Sequence, residues 1–388
     1  MLTLVGTDAA ENIVSLYFDP HTFKLYFDDT CTNMVPIANI STPVGRTVVI
    51  PLGYGCNNNC IYCTQKDMVD KPLNPWKLTD KVLEIQPHVE HIHFIGGEPL
   101  RQFSQLEHIV KLFPYCTYSI VTNGNNLTSD ITEFIIKNKI YVTLSHDGQH
   151  HAISRGTDVL SSYKKRYIQE IASTGKLQVY SILFNHADSL FDRYIHFKSM
   201  DIPFDHIDIG TVIPFNKKLN NLIVSSNWDV YTENTLRDIA AVYAIDPSHM
   251  GGDYELVTNM HMLLHDKNTS YDRKYTKCPI FSKDTVTVNT AGEQIYCYNS
   301  KEIVTEQLTT SIRGAKDTEI CKNCPVLMCC TSGCWIANPD QFSKICEVSF
   351  YKKMCYLHFF FKNTFGFNID YIEGDFKYAT NGRYTYPK

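Results

Sequence analysis

Between Arg46 and about Val212, short β-branched runs alternate with segments in which apolar residues recur every three or four positions. A period of two marks a strand and a period near 3.6 marks a helix, so the alternation predicts repeated βα units around a parallel sheet. Six strands are expected: Arg46–Leu52, His91–Ile95, Thr117–Thr122, Ile140–Ser145, Leu177–Phe184 and His206–Val212. The gaps between them are long enough for one crossover helix each. Ser104–Phe113, Asp130–Lys137 and Ser161–Ser173 place Leu, Ile and Phe at helical spacing, and Asp130 with Glu133 reads as a helix start. Together these predict an α/β fold, a partial (β/α)6 TIM-like barrel, with its site at the C-terminal ends of the strands.

Ahead of the barrel, IVSLYFD and FKLYFDD flank a Pro-His-Thr turn and alternate apolar with polar residues, which predicts a β-hairpin. After it, Ser226–Ile245 has helical period and leads through Gly251–Gly252 into a cysteine-rich region.

Composition changes the picture in one respect. A hydrophobic fraction of 44%, a charged fraction of 20% and a net charge of −5 describe a globular chain that is neither a membrane protein nor a nucleic-acid binder. The first twenty residues lack a basic segment followed by an apolar one, so no secretory signal is read and a cytoplasmic location is expected. Fourteen cysteines in a reducing compartment point to metal rather than disulfides, and nine of them lie between residues 275 and 358.

Gly53-Tyr54-Gly55-Cys56-Asn57-Asn58-Asn59-Cys60-Ile61-Tyr62-Cys63 follows the first barrel strand with the spacing CxxxCxxC. Three thiolates leave one iron of a four-iron cluster open, whereas a zinc knot would want a fourth ligand that the loop lacks. Gly96-Gly97-Glu98-Pro99 ends the second strand, Thr122-Asn123-Gly124 the third, and Ser145-His146-Asp147-Gly148 the fourth, with Arg155 seven residues later. Asn-Gly and Asp-Gly alone are turn signals, but four such motifs stand in order at four consecutive strand ends.

This set resembles the radical S-adenosylmethionine (radical SAM) enzymes. The resemblance implies a [4Fe–4S] cluster on Cys56, Cys60 and Cys63, and SAM contacts from Tyr62, Gly96, Gly97, Glu98, Thr122, Asn123, Ser145, Asp147 and Arg155. It implies reductive cleavage of SAM to a 5′-deoxyadenosyl radical that removes a hydrogen atom from substrate. A side chain at Gly97 would then enter the methionyl space without disturbing the iron, and Arg155 would pair with the SAM carboxylate.

The second cluster of cysteines reads Cys278-x13-Gly292-x4-Cys297, then Cys321-x2-Cys324-x5-Cys330-x3-Cys334, then Cys346. It resembles the seven-cysteine SPASM extension of radical SAM enzymes that modify peptides and proteins. That resemblance implies two auxiliary clusters, one on Cys278, Cys297 and Cys334 and the other on Cys321, Cys324, Cys330 and Cys346, making three [4Fe–4S] clusters in all. A zinc ribbon is the bland alternative, but seven thiols are an awkward count for zinc. Cys31, Cys116, Cys329 and Cys355 are left over; Cys116 and Cys329 read as bystanders, and Cys355 as a buried thiol, a spare ligand or a hydrogen-atom donor. The expected organisation is a hairpin extension over residues 1–45, the barrel over 46–230, a helical bridge over 231–274, the SPASM domain over 275–358 and a tail over 359–388.

The function implied is maturation of a ribosomally made precursor peptide by an oxidative cross-link, with a carbon–carbon cyclophane favoured over a thioether. An anaerobic sulfatase-maturating enzyme is the alternative. In those enzymes an Asp serves as base directly after the cysteine equivalent to Cys297, and here Tyr298 stands there, leaving His186 and Asp208 as candidate bases. A non-catalytic iron–sulfur sensor or electron carrier is the reading from another class, and it has no need of a SAM pocket. Expected partners are the precursor peptide and an electron donor such as flavodoxin or ferredoxin; the leader is expected to be read by a separate protein, by the hairpin edge through strand addition, or by direct contact with the barrel and SPASM surfaces, with capping of the barrel the favoured role of the hairpin.

Overall fold

In this computed structural model the described residues are 1–20, 23–27, 29, 46–66, 68, 75–85, 89–185, 189–252, 256–257, 260, 285–289, 291–295, 297–299, 321, 323–327, 329–330 and 339–386. His186, Cys278 and Cys334 therefore lie outside the described residues. In chain order the strands are β1 (Leu2–Thr7), β2 (Ile13–Asp19), β3 (Lys24–Tyr26), β4 (Thr47–Pro51), β5 (His91–Ile95), β6 (Thr117–Thr122) and β7 (Tyr141–Ser145). They continue as β8 (Leu177–Leu183), β9 (His206–Thr211), β10 (Thr285–Val288), β11 (Gln294–Ile295), β12 (Asn368–Glu373) and β13 (Arg383–Thr385). The chain forms two compact units, one of residues 43–212 and 277–304, the other of residues 1–42, 213–276 and 305–388.

The first unit is built on an eight-stranded sheet in the order β11-β10-β4-β5-β6-β7-β8-β9. The six expected strands pair in parallel from β4 to β9. Helices α1 (Pro75–Ile85), α2 (Phe103–Leu112), α3 (Ser129–Lys137), α4 (His151–Ser154), α5 (Lys165–Ala172) and α6 (Leu190–Lys198) occupy the crossovers. One face of strands β4 to β8, with Val48, Ile50, Phe94, Ile120, Val142 and Leu177, packs into a core with Leu78, Leu106, Ile109, Ile135 and Ile171 of the helices. The opposite face mixes apolar residues such as Val49 and Val121 with most of the strands' polar side chains. His91 spans Thr117 Oγ1 (2.8 Å) and Ser119 Oγ (2.7 Å), and Gln178 Nε2 donates to Thr143 Oγ1 (2.7 Å). That division of faces produces the period of two read from the sequence.

Three details differ from expectation. The cap of α3 is Thr128, whose hydroxyl accepts from Ile131 N (3.3 Å), so Asp130 lies inside the first turn. The helix expected over 161–173 forms only as α5. The sheet also gains β10, which pairs in parallel with β4, and β11, antiparallel to β10, both from the stretch expected to belong to the cysteine-rich domain. Gly292 turns this hairpin at φ +77°, and a Cβ there would lie 2.5 Å from Lys77 C and O, so the hairpin rests on the backbone of α1.

The second unit holds an antiparallel sheet in the order β13-β12-β1-β2-β3. The expected hairpin is β2 and β3, paired Tyr17 to Tyr26. Its neighbour β1 pairs on the other side with β12, Thr3 opposite Glu373, so residues expected as a tail are sheet strands. The unit also contains α7 (Trp228–Ile245, capped by the Asn227 side chain on Val230 N) and α8 (Phe342–Phe365). Helix α8 ends at Gly366 in the left-handed region, φ +64°. Among the described residues no helix is long and apolar enough to cross a membrane.

Candidate active site

The loop after β4 carries Cys56, Cys60 and Cys63, and it is pinned at the C-terminal ends of β5, β6 and β7. Gly97 N donates to Gly53 O (2.8 Å) and Glu98 N to Gly55 O (3.1 Å). This contact explains the paired glycines. A Cβ at Gly96 would lie 2.2 Å from Gly53 O, and one at Gly97 would lie 2.2 Å from Tyr54 O and 2.7 Å from Gly55 O. The expectation that a side chain at residue 97 would enter an open pocket is corrected here, because what it meets is the backbone of the cysteine loop. Glu98 is buried and ties its own turn to the end of β6: its carboxylate accepts from Leu100 N (3.0 Å), Thr122 Oγ1 (2.7 Å) and Asn123 N (2.8 Å). Burial raises its carboxyl against the lowering effect of these bonds.

Asparagines join the cysteine loop to the turn after β6. Asn123 Nδ2 donates to Asn57 Oδ1 (2.8 Å), Asn57 Nδ2 to Asn126 Oδ1 (2.7 Å) and Asn125 Nδ2 to Asn58 Oδ1 (2.9 Å). Asn123 Nδ2 also approaches Cys56 Sγ at 3.7 Å, and backbone amides donate to two of the sulfurs, Asn58 N to Cys56 Sγ and Gln65 N to Cys63 Sγ, each at 3.4 Å. Burial pushes the Cys60 thiol up to about 11 against the pull of Arg155.

On the side of β7 and β8, Asp147 is fully buried and collects a network. Tyr62 donates its hydroxyl to Asp147 Oδ2, Ser154 Oγ donates to the same oxygen (2.6 Å), and Arg155 Nε forms an ion pair with it at 2.9 Å. Ile182 N donates to Oδ1 (2.8 Å), and the wholly buried Arg193 stands 3.9 Å from Oδ1 while donating to Ser181 Oγ (2.5 Å). Burial by itself would raise the Asp147 carboxyl, but Arg155 and the Ser154 and Tyr62 hydroxyls hold it at about 2. Arg155, read from sequence as a SAM carboxylate ligand, is here engaged with Asp147 and lies over the Tyr62 ring, 5.3 Å from its centroid. The same turn braces the loop, with Ile61 N donating to Ser154 O (2.8 Å) and Asn59 N to Arg155 O (3.3 Å).

Cys297 follows β11 and is buried, and Asn299 N donates to its sulfur (3.5 Å). Asn299 Oδ1 in turn accepts from Gln65 Nε2 (3.0 Å) and Thr64 Oγ1 (3.2 Å), which places the Cys297 loop against the chain just beyond Cys63. Of the candidate bases, Asp208 is half-buried on β9 opposite Tyr180 of β8, and Tyr298 is half-buried next to Cys297. Ser145 ends β7 beside Tyr180.

In the other unit, Cys321, Cys324, Cys330 and Cys346 line one cavity together with Phe350, Lys377 and Tyr378. Burial raises the Cys324 and Cys346 thiols, and each is raised further by other thiols of the four. Cys329 is buried, and Cys355 is wholly buried with its thiol pushed up to about 12 by burial, so both pack as small apolar groups. Among the described residues no three His, Cys, Asp or Glu side chains are gathered to hold a single metal ion.

Residues 50–176 match the family model described as the Radical SAM superfamily. The chain carries a radical SAM domain. It is 24% identical over 267 residues to the radical SAM cyclopropyl synthase TigE of Paramaledivibacter caminithermalis, covering 60% of this chain and 53% of TigE. It is 33% identical over 188 residues to an uncharacterized protein of Methanocaldococcus jannaschii, covering 45% of this chain and 54% of that one. The chain thus spans about half the length of these curated relatives. Among solved structures its fold is similar to Streptococcus suis SuiB bound to precursor peptide SuiA, with a TM-score of 0.53, 15% identity and 75% and 72% of the two chains covered. It is also similar to anSMEcpe with bound AdoMet, with a TM-score of 0.56, 19% identity and 79% and 98% covered.

A radical SAM domain binds SAM and a [4Fe–4S] cluster, and the donor set here fits such a cluster. Three thiols stand on one loop, and amide N–H groups point at the sulfurs of two of them, as thiolates bearing charge require. Ser154, Arg193 and the asparagines at 57, 58, 125 and 126 were not singled out by sequence reasoning. Only the repeated Asn residues on both loops gave a sign of them.

Proposed function

We propose that this chain is a radical SAM peptide maturase that forms an oxidative cross-link, a carbon–carbon bond, within a ribosomally made precursor. The observation that carries the reading is the cysteine loop, clamped by Gly96, Gly97, Glu98, Asn123 and the Asp147 network at the strand ends. When bound there, the cluster and SAM supply a 5′-deoxyadenosyl radical able to remove a hydrogen atom from a side chain. The residues hold that chemistry in place: Cys56, Cys60 and Cys63 as ligands, Glu98 and Asn123 fixing the loop, and Tyr62 and Arg155 held by Asp147. Asp208 is the described candidate for taking the proton that an oxidative cross-link releases. The four-thiol cavity supports an auxiliary cluster on Cys321, Cys324, Cys330 and Cys346. A further one on Cys278, Cys297 and Cys334 belongs to the same reading, as do a flavodoxin- or ferredoxin-type donor, a leader recognised by the β2–β3 hairpin edge or a separate protein, and a cytoplasmic setting. The names of TigE, a cyclopropyl synthase, and of SuiB, solved with its precursor peptide, favour ring formation on a peptide.

Mass spectrometry of the precursor peptide after anaerobic turnover tests this. A loss of about two hydrogens per modification, with no reaction toward an aldehyde-trapping hydrazine, is expected. A product that loses two hydrogens and forms a hydrazone would identify a sulfatase-type maturase instead.

A further inference from the structure

Residues 374–382 join β12 to β13 and help to close the four-thiol cavity, with Phe376, Lys377 and Tyr378 in its wall. The turn is held by Ala379 N donating to Phe376 O (3.0 Å) and Thr380 N to Arg383 O (2.8 Å). Asn323 Nδ2 donates to Asp375 O (3.3 Å), tying it to the loop that carries Cys321 and Cys324. The Tyr378 ring packs on Phe350, 4.3 Å between centroids, and on Tyr351, 5.6 Å. Its hydroxyl is buried at the cavity that Cys346 also lines, and among the described residues no group other than the Cys346 sulfur is in place to take its hydrogen bond. A buried hydroxyl left in that state is destabilising. A neutral thiol is a weak acceptor and a thiolate a strong one, so the placement makes sense when Cys346 is a metal ligand. Lys377 shares the cavity wall with Cys346, holds its ammonium 5.0 Å from the Tyr378 ring centroid and donates to Ser343 Oγ (3.1 Å), and its charge pulls the Cys346 thiol down against burial.

We infer that Tyr378 and Lys377 are positioning residues that raise the reduction potential of an iron–sulfur cluster bound by Cys321, Cys324, Cys330 and Cys346. The inference rests on the four-thiol cluster of the proposed function. Adding an electron places more negative charge on the thiolates, and an O–H donor and a cation beside one of them stabilise that reduced state more than the oxidised one. The hairpin turn thus sets how readily this centre accepts an electron.

The test is an anaerobic redox titration of the reconstituted full chain, followed by electron paramagnetic resonance, on the wild type, Tyr378→Phe and Lys377→Met. Tyr378→Phe keeps the ring and its packing and removes only the donor. The same iron content is expected, with one cluster about tenfold harder to reduce, which is about 59 mV for one electron, and the remaining clusters unmoved. Lys377→Met should shift the same cluster in the same direction. Wild-type iron with every midpoint unchanged in Tyr378→Phe overturns the inference. Should that variant lose iron, Lys377→Met decides, and an unmoved midpoint there overturns it equally. If Cys346→Ala leaves the iron content of the chain unchanged, the cluster reading itself fails.

Discussion

Replacing Gly97 by Ala adds one methyl group where the structure has none to spare. The new Cβ would lie 2.2 Å from Tyr54 O, 2.6 Å from Tyr54 C and 2.7 Å from Gly55 O, all of them backbone atoms that no rotamer change can move away. An ordinary contact is about 3.4 Å or more, so the cysteine loop must retreat by about 1 Å. That breaks the Gly97 N to Gly53 O and Glu98 N to Gly55 O hydrogen bonds, worth about 1 kcal/mol each, and adds overpacking of about 1–3 kcal/mol. The loop is then misplaced at a cost of about 3–5 kcal/mol, which in a unit of this size lowers Tm on the order of 10 °C. Iron analysis of anaerobically reconstituted protein and differential scanning calorimetry read both effects. Gly97→Ala should hold about four irons fewer than the wild type and melt earlier. Wild-type iron and Tm combined with weakened SAM binding would refute the reasoning, since residue 97 would then face the pocket rather than the loop.

Two other perturbations follow from buried titratable groups. Asp147→Asn leaves Arg155 and Arg193 buried without their shared carboxylate, and breaking such a pair costs about 3–5 kcal/mol; thermal melts should show a lower Tm, and an unchanged one would mean that the network carries no stability. His358 is lowered to about 4 by burial, with Lys362 adding to the effect, so it stays neutral in the fold. The unfolded chain takes up a proton from about pH 6.5 downward, so its contribution to stability is complete above that pH and is lost as pH falls toward 4. Melting curves from pH 7 to 4 should fall through that window, and His358→Phe should flatten the slope.

The barrel was legible because strands and helices alternate with their own periods of apolar residues, and because the functional motifs stand where strands end. Gly96 and Gly97 could be seen as special, but their reason could not: the backbone they accommodate lies more than forty residues earlier, at Tyr54 and Gly55. The Asp147 site has the same character. Its partners at Tyr62, Ser154, Ile182 and Arg193 belong to four segments that only the fold brings together. The β2–β3 hairpin could be read from local alternation, whereas its sheet is completed by β12 and β13 from the far end of the chain, and no local pattern carries that pairing. Strands β10 and β11 were hidden by their length, four and two residues, too short for a period to show.

We propose that the loop of Cys56, Cys60 and Cys63 supports reductive cleavage of SAM. The direct measurement is 5′-deoxyadenosine, quantified by liquid chromatography and mass spectrometry after anaerobic incubation of the reconstituted chain with SAM and dithionite. 5′-Deoxyadenosine is expected from the wild type and none from the chain in which all three cysteines are replaced by Ala. Iron-loaded wild-type protein that yields none, or equal yields from both proteins, would contradict it.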